Sequence, residues 1–510
     1  MPTLLRRARH LGIASLASPL LPVARIAFIA LAALIVLGGC VSPPGSQRAP
    51  LDRWTQLGPA GAVSLRAIVA ADDECPTALV DGHPHSLLQR AAATAAKPPA
   101  GRHSDNPAYQ PDFPVQSCEL SVPASTRRAS IAGQIMPLPK TAIRRIVIVG
   151  DTGCRIKASA SQPGPPVQDC SSPTDWPWQR IAAAAARTRP DLVIHLGDYH
   201  YREYCDDPTR CPPAWDPDVA VGYGWPGWHA DFFTPAAPLL AAAPWIMLRG
   251  NHENCDRAGD GWMRFLSPLP YQACGDQLYR SASRSVLANN LTADAYRVDV
   301  DENLTLVIAD NAGAEDYFPA TARAADVGLF ERHLQVLDTL PAGRPAWLLA
   351  HRPIWYDMLA ASAQPNALQV ALRKRLPANV QLAFSGHQHV FQTINFSPTA
   401  DAAYHPAGRP AQIVVGGGGT ELEAYDPESP FYEGAGGPGS KERARPDRQS
   451  YDGATASSGI VVNRYSFLLL ERDANDRRWS GTLLDPDGVT LSDCRLNGER
   501  KEILCSFPAR

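Results

Sequence analysis

The chain has 510 residues, 45% of them hydrophobic, enough to bury a large core with a smaller region beside it and too apolar for a disordered protein. Its 51 acidic and 48 basic residues leave a formal charge of -3, so there is no broad cationic surface and a nucleic-acid partner is excluded from the expected functions. The 48 prolines, against a usual share of about 5%, point to long loops of fixed geometry.

At the N-terminus Arg6, Arg7, Arg9 and Arg25 precede the apolar run IAFIALAALIVL, Ile26–Leu37. This run is short for a bilayer span and suits the core of a signal peptide. The LGGC that closes it, Leu37–Cys40, resembles a bacterial lipoprotein cleavage site. Residues 1–39 are then a signal peptide, Cys40 is the lipidated first residue of the mature protein, and 40–50 form a tether. The protein is expected in the cell envelope, with the membrane as a partner through the lipid; a short membrane anchor is the alternative. In that oxidising setting the other ten cysteines are expected to pair with their sequence neighbours: Cys75 with Cys118, Cys154 with Cys170, Cys205 with Cys211, Cys255 with Cys274 and Cys494 with Cys505.

Residues 51–139 read as short strands and turns, a small β-rich N-terminal domain or an extension of the main sheet. His83 and His85 in DGHPH have no third ligand nearby and are expected in an exposed turn. From Arg144 the texture becomes strand, helix, strand: RRIVIVGD ends in Asp151, WPWQRIAAAAARTR is helix-prone, and DLVIHLGD ends in Asp198. Short connections make the two strands parallel and set both aspartates on one edge. The pattern recurs in PWIMLRGNHE, which delivers Asn251 and His252, in AWLLAHRP, which delivers His351, and in VQLAFSGHQH, which delivers His387 and His389. Five segments thus bring metal-ligand types to the crevice beyond the strand ends.

LTLVIADN ends in Asp310, read as structural, and His195 is read as a core histidine. His200 is expected to face the cleft or its wall without binding metal. The glycine-rich stretch 416–459 reads as a long loop, either a cover for the cleft or plain surface. RYSFLLLE, RWSGTLLD and the turn at Asn497 and Gly498 read as antiparallel strands completing a second sheet. Residues 140–510 would form the catalytic domain.

Two carboxylates, an amide oxygen, three histidines and the phenol of Tyr201 are enough for two metal ions, with Asp198 as the candidate bridge. GDTG at Gly150–Gly153, GDYHY at Gly197–Tyr201, GNHE at Gly250–Glu253, AHRP at Ala350–Pro353 and GHQH at Gly386–His389 occur in the order of the calcineurin-like metallophosphoesterases, which the chain resembles. Tyr201, with Gly153 where many relatives have histidine, resembles the purple acid phosphatase branch. The resemblance implies an α/β fold, a four-layer αββα sandwich of two mixed sheets. It implies Fe(III) held by Asp151, Asp198, Tyr201 and His389, and a second ion, Fe(II), Zn(II) or Mn(II), held by Asp198, Asn251, His351 and His387. It makes His252 the group that binds phosphate and protonates the leaving oxygen, with Glu253 as its orienting partner. The implied reaction is hydrolysis of small phosphate monoesters by metal-hydroxide attack. The alternatives are a phosphodiesterase or nucleotide hydrolase on the same site, and a non-catalytic envelope module of the same fold.

Overall fold

Each catalytic strand is apolar on both sides because each lies between two layers. Along Arg145–Val149, Ile146 and Ile148 enter the core between the two sheets while Val147 and Val149 meet a helical layer outside. In Leu304–Ala309, Leu306 and Ile308 likewise face the inter-sheet core, and Val307 and Ala309 face a second helical layer. The result is helix, sheet, sheet, helix. The computed structural model describes residues 49–508 except 96–110, 160–166, 208, 212–219, 275–293, 315–322, 356–366, 374, 397–407, 424–449, 452–453 and 476–477. The expected signal peptide, Cys40 and the tether as far as Arg48 lie outside the described residues, as does most of the 416–459 loop. Among the described residues no helix is long and apolar enough to cross a membrane.

Among the described residues the first sheet has 11 strands, with Arg145–Val149, Leu192–His195, Trp245–Met247 and Asp52–Leu57 side by side and parallel at its centre. The second has eight, centred on parallel Leu304–Ala309, Ala346–Ala350, Val380–Ser385 and Ala411–Val415. The helices Trp178–Arg187 and Thr234–Leu240 pack on the first sheet, Arg323–His333 and Ala367–Leu372 on the second.

The strands of 51–139 divide: Thr77–Val80, His83–Ser86, Ala129–Ile131 and Gln134–Ile135 form a small four-stranded sheet of their own, and the others join the first sheet. Asp52–Leu57 pairs with Trp245–Met247, and Val63–Ala70, Val115–Val122 and Leu88–Ala91 extend the same sheet, so 49–510 is one compact unit. His83 and His85 are exposed, on a short strand rather than in a turn. The C-terminal strands correct the sequence expectation. Phe467–Arg472 pairs antiparallel with Arg145–Val149, and Trp479–Leu484, Thr490–Asn497 and Glu502–Ser506 follow it, so they enlarge the first sheet rather than complete the second. The run FLLL is buried throughout, with Leu468 and Leu470 in the core between the sheets and Phe467 and Leu469 under the helical layer. All five neighbouring cysteine pairs are joined as disulfides.

Asp52 opens the first strand with its Oδ2 buried and without a hydrogen-bond partner, and burial lifts its carboxyl from 3.8 to about 7. Above pH 3.8 the unfolded chain gives up this proton while the folded protein holds it to about pH 7, so the group weakens the fold increasingly across that window. Asp52→Asn is expected to raise the melting temperature at pH 8, by the equivalent of at most about 4 kcal/mol, and to change it little at pH 4. Thermal melts at the two pH values check this; no gain at pH 8 refutes it.

Candidate metal centre

The parallel strands of both sheets end at one rim, and the turns that follow them are tight. Asp151 N donates to Gly197 O at 3.0 Å, Thr152 N to Asp198 O at 3.0 Å and Gly386 N to His351 O at 3.0 Å, so each turn is hydrogen-bonded to the next. Asp151, Asp198 and His387 all adopt left-handed backbone, with φ of 59°, 60° and 73°. Side chains at such positions are costly and persist where surrounding contacts fix them, as at ligand-holding turns.

The side chains converge on Asp198. On one side Tyr201 Oη donates to Asp198 Oδ2 at 2.9 Å, lies 3.3 Å from Asp151 Oδ1 and is 2.9 Å from His389 Nε2, which is 3.7 Å from Asp151 Oδ1. On the other, His351 Nε2 is 3.2 Å from Asp198 Oδ2 and 3.0 Å from Asn251 Oδ1. One ligand atom each from Asp198, His351 and His387 lies within 4.8 Å of the others. Asp151, Asp198, Tyr201 and His351 are all buried. Burial, and then the Asp198 charge, push the Asp151 carboxyl well above its ordinary range. Burial acts the same way on Asp198, but the facing His351 and His252 outweigh it and hold that carboxyl well below.

These donors fit a pair of cations. His351 Nδ1 donates to Leu196 O at 2.8 Å and His389 Nδ1 to Glu421 O at 2.6 Å, which leaves a lone pair on each Nε2. The His351 lone pair then faces two further electron-rich atoms, Asn251 Oδ1 and Asp198 Oδ2, an arrangement that a cation among them would stabilise. Asp151, Asp198, Tyr201 and His389 would hold one ion. Asp198, Asn251, His351 and His387 would hold the other.

Residues 144–391 match the calcineurin-like phosphoesterase family. These residues thus form a calcineurin-like phosphoesterase domain. With it the chain is a metal-dependent phosphoric ester hydrolase, and the family implies a dinuclear centre. Its fold is similar to that of purple acid phosphatase PPD1 from seeds of yellow lupin (Lupinus luteus), with 15% identity, a TM-score of 0.50, and coverage of 87% of this chain and 74% of that one. PhoD is 11% identical with a TM-score of 0.44, covering 92% and 94%, and a dimetal phosphatase from Danio rerio is 13% identical with a TM-score of 0.31, covering 72% and 99%. No curated protein sequence matches the chain.

In this phosphoesterase Glu253 does not orient His252, contrary to the sequence expectation. Its carboxylate is buried and accepts the backbone N–H of Asp198 at 3.0 Å, Tyr199 at 2.8 Å, His200 at 3.2 Å and Gly250 at 3.0 Å. Glu203 takes the other role. Its Oε1 is 2.8 Å from His252 Nδ1, Tyr223 Oη donates to its Oε2 at 3.2 Å, and Arg257 pairs with the same carboxylate. His252 Nε2 lies 3.9 Å from Asp198 Oδ2 and 2.8 Å from Arg257 Nη2, so the guanidinium borders the imidazole on the side of the metal centre. The only cue in the sequence was proximity: Glu203 stands two residues after Tyr201, and its N–H donates to Tyr201 O at 2.9 Å across the turn between them. Asp231, which accepts from Tyr201 N at 2.7 Å and Cys154 N at 3.1 Å and so ties two ligand turns together, had no such cue.

The remaining candidates fall into place around this centre. His195 is fully buried, stacked 3.9 Å from the Tyr199 ring, and Asp310 pairs with Arg249. His200 is fully buried against Gly222 O rather than lining the cleft. The start of the long loop is part of the site's support, since Gly418 N donates to Gly150 O and Thr420 N to Asp151 O.

Glu203→Gln is expected to lower kcat about 10- to 100-fold while metal content stays at the wild-type level. Burial and then Arg257 pull the His252 imidazole down to about 3 and Glu203 opposes them, so loss of the carboxylate should move the limb of the kcat profile set by His252 to still lower pH. An unchanged profile with unchanged kcat would remove Glu203 from the reaction.

Proposed function

We propose that this phosphoesterase is a phosphomonoesterase of the purple acid phosphatase type, tethered to the cell envelope through a lipid on Cys40. The observation that carries the reading is the phenol of Tyr201 set between Asp151, Asp198 and His389. Gly153 makes the room for it: a Cβ there would lie 2.7 Å from Tyr199 O and 2.9 Å from Tyr201 Cδ2. A histidine at position 153 and a tyrosine at 201 therefore compete for one space. The phenolate is a hard anionic donor, which favours Fe(III) at the Asp151 side, with Fe(II), Zn(II) or Mn(II) beside it. When bound, such ions act as Lewis acids toward water and phosphate.

The protein groups supply the rest of the chemistry. Burial and the two carboxylates push the Tyr201 phenol well above its ordinary value, so the phenol needs a cation beside it to give up its proton. His252, held at Nδ1 by Glu203, is the group that donates a proton to the departing ester oxygen. The yellow lupin protein of similar fold is a purple acid phosphatase, which supports the same chemistry here. The N-terminal LGGC supports the lipid anchor.

The test combines metal analysis, visible spectra and two substrates. Purified protein is expected to contain iron, to absorb in the visible and to prefer p-nitrophenyl phosphate over its bis ester. Tyr201→Phe should abolish the colour and keep some activity with another divalent metal. A band that survives Tyr201→Phe overturns the ferric assignment, and a marked preference for the bis ester overturns the monoester reading.

A further inference from the structure

We propose that a second site, separate from the metal centre, binds a small organic anion, a carboxylate on an apolar body, through Arg249 and Tyr296. Both side chains line a cavity of about 250 Å³ formed by the ends of Trp245–Met247 and Leu304–Ala309 and by the segment after the helix Gly259–Phe265. Arg249 is 3% exposed; its Nε donates to Asp310 Oδ2 at 3.0 Å, while Nη1 and Nη2 are buried with no hydrogen-bond partner. Tyr296 is 9% exposed, and its hydroxyl is also buried without a partner.

A guanidinium stays charged at any physiological pH, and buried donors are normally satisfied, so two idle terminal nitrogens and an idle phenol on the lining of one cavity are unusual. Asp310 occupies the Nε edge and leaves the Nη1–Nη2 edge, whose parallel N–H groups match the two oxygens of a carboxylate. Tyr296 can add one further donor. The other acidic group on the lining, Asp294, is 85% exposed and paired with His333 at 2.6 Å. Trp262, Met263 and Ile308 form apolar wall, which suits a hydrocarbon or aromatic body. The volume is below the range of about 300 to 1,000 Å³ typical of drug-sized ligands, so the occupant is small. One guanidinium already shared with an aspartate suits a monoanion better than a phosphate dianion.

The probe is phenylacetate, titrated calorimetrically into the full metal-loaded protein at saturating inorganic phosphate, which keeps the carboxylate off the metal centre. Saturable binding is expected, with phenylacetamide at least about tenfold weaker, since it loses the charge-assisted pair. Arg249→Met should weaken phenylacetate at least about tenfold. Tyr296→Phe, which conserves volume, should weaken it measurably and serves as the deciding variant if Arg249→Met does not fold. Absence of saturable binding to the wild-type protein, affinity unchanged in Tyr296→Phe, or binding abolished by phosphate overturns the proposal. The readout is binding alone, so each of these results leaves the phosphomonoesterase reading where it stands.

Discussion

Asp198→Ala is expected to yield a protein that retains neither ion and turns over p-nitrophenyl phosphate at least about a thousandfold more slowly, a loss of about 4 kcal/mol of transition-state stabilisation. The reason is that one carboxylate serves three neighbours. Oδ2 meets both Tyr201 Oη and His351 Nε2, the inner members of the two ligand groups, and Oδ1 accepts the backbone N–H of His252 at 2.8 Å. Removing it separates the two groups and also frees the turn that carries His252. The fold should persist, because the strands beneath are held by apolar layers on both faces. Alanine at a φ of 60° carries a backbone penalty of about 1–2 kcal/mol, so Asp198→Asn is the matched control: asparagine tolerates that conformation yet lacks the charge. Elemental analysis separates the outcomes. Two ions retained in Asp198→Ala would mean that no bridge exists at this position.

What the sequence disclosed follows from what one side chain can announce about itself. Strands buried on both faces leave unbroken apolar runs, and a polar residue at the end of such a run stands out; Asp151, Asp198, Asn251, His351 and His387 were legible for that reason. Pairing partners are not announced. The segment Phe467–Arg472 reads as a strand from its own residues, but nothing in FLLL says that its neighbour will be Arg145–Val149 in the first sheet. The exchange of Glu203 for Glu253 has a similar origin. Glu253 follows His252 directly, yet in the turn Asn251–Glu253 adjacent side chains diverge, and the carboxylate turns inward to the Asp198 backbone. The left-handed conformations of Asp151, Asp198 and His387 are likewise a property of the assembled rim, since each residue type can adopt them without having to.

Glu253→Ala is expected to destabilise the protein by about 3–5 kcal/mol and to lower its metal content. Four backbone N–H groups, from Asp198, Tyr199, His200 and Gly250, converge on this one buried carboxylate. Alanine leaves them without an acceptor, at about 1–3 kcal/mol for each group that neither water nor a rearranged turn can satisfy. Water is poorly placed to help, because Gly250 packs so closely on the Asp198 carboxylate that even a Cβ would collide with it. The loosened turns carry Asp198 and Asn251, so affinity for both ions should fall with stability. Burial and the Asp198 charge push the Glu253 carboxyl up to about 8 against the pull of those N–H groups, and Glu253→Gln, which keeps one oxygen but turns an amide N–H₂ toward other donors, should fall between wild type and alanine. The contrast with Glu203 decides between the two assignments. Loss of Glu203 should change the pH profile with metal content intact, whereas loss of Glu253 should change melting temperature and metal content while the protein that still holds both ions keeps the wild-type profile. A Glu253→Gln protein with normal stability and a displaced His252 limb would return Glu253 to His252 as its orienting partner.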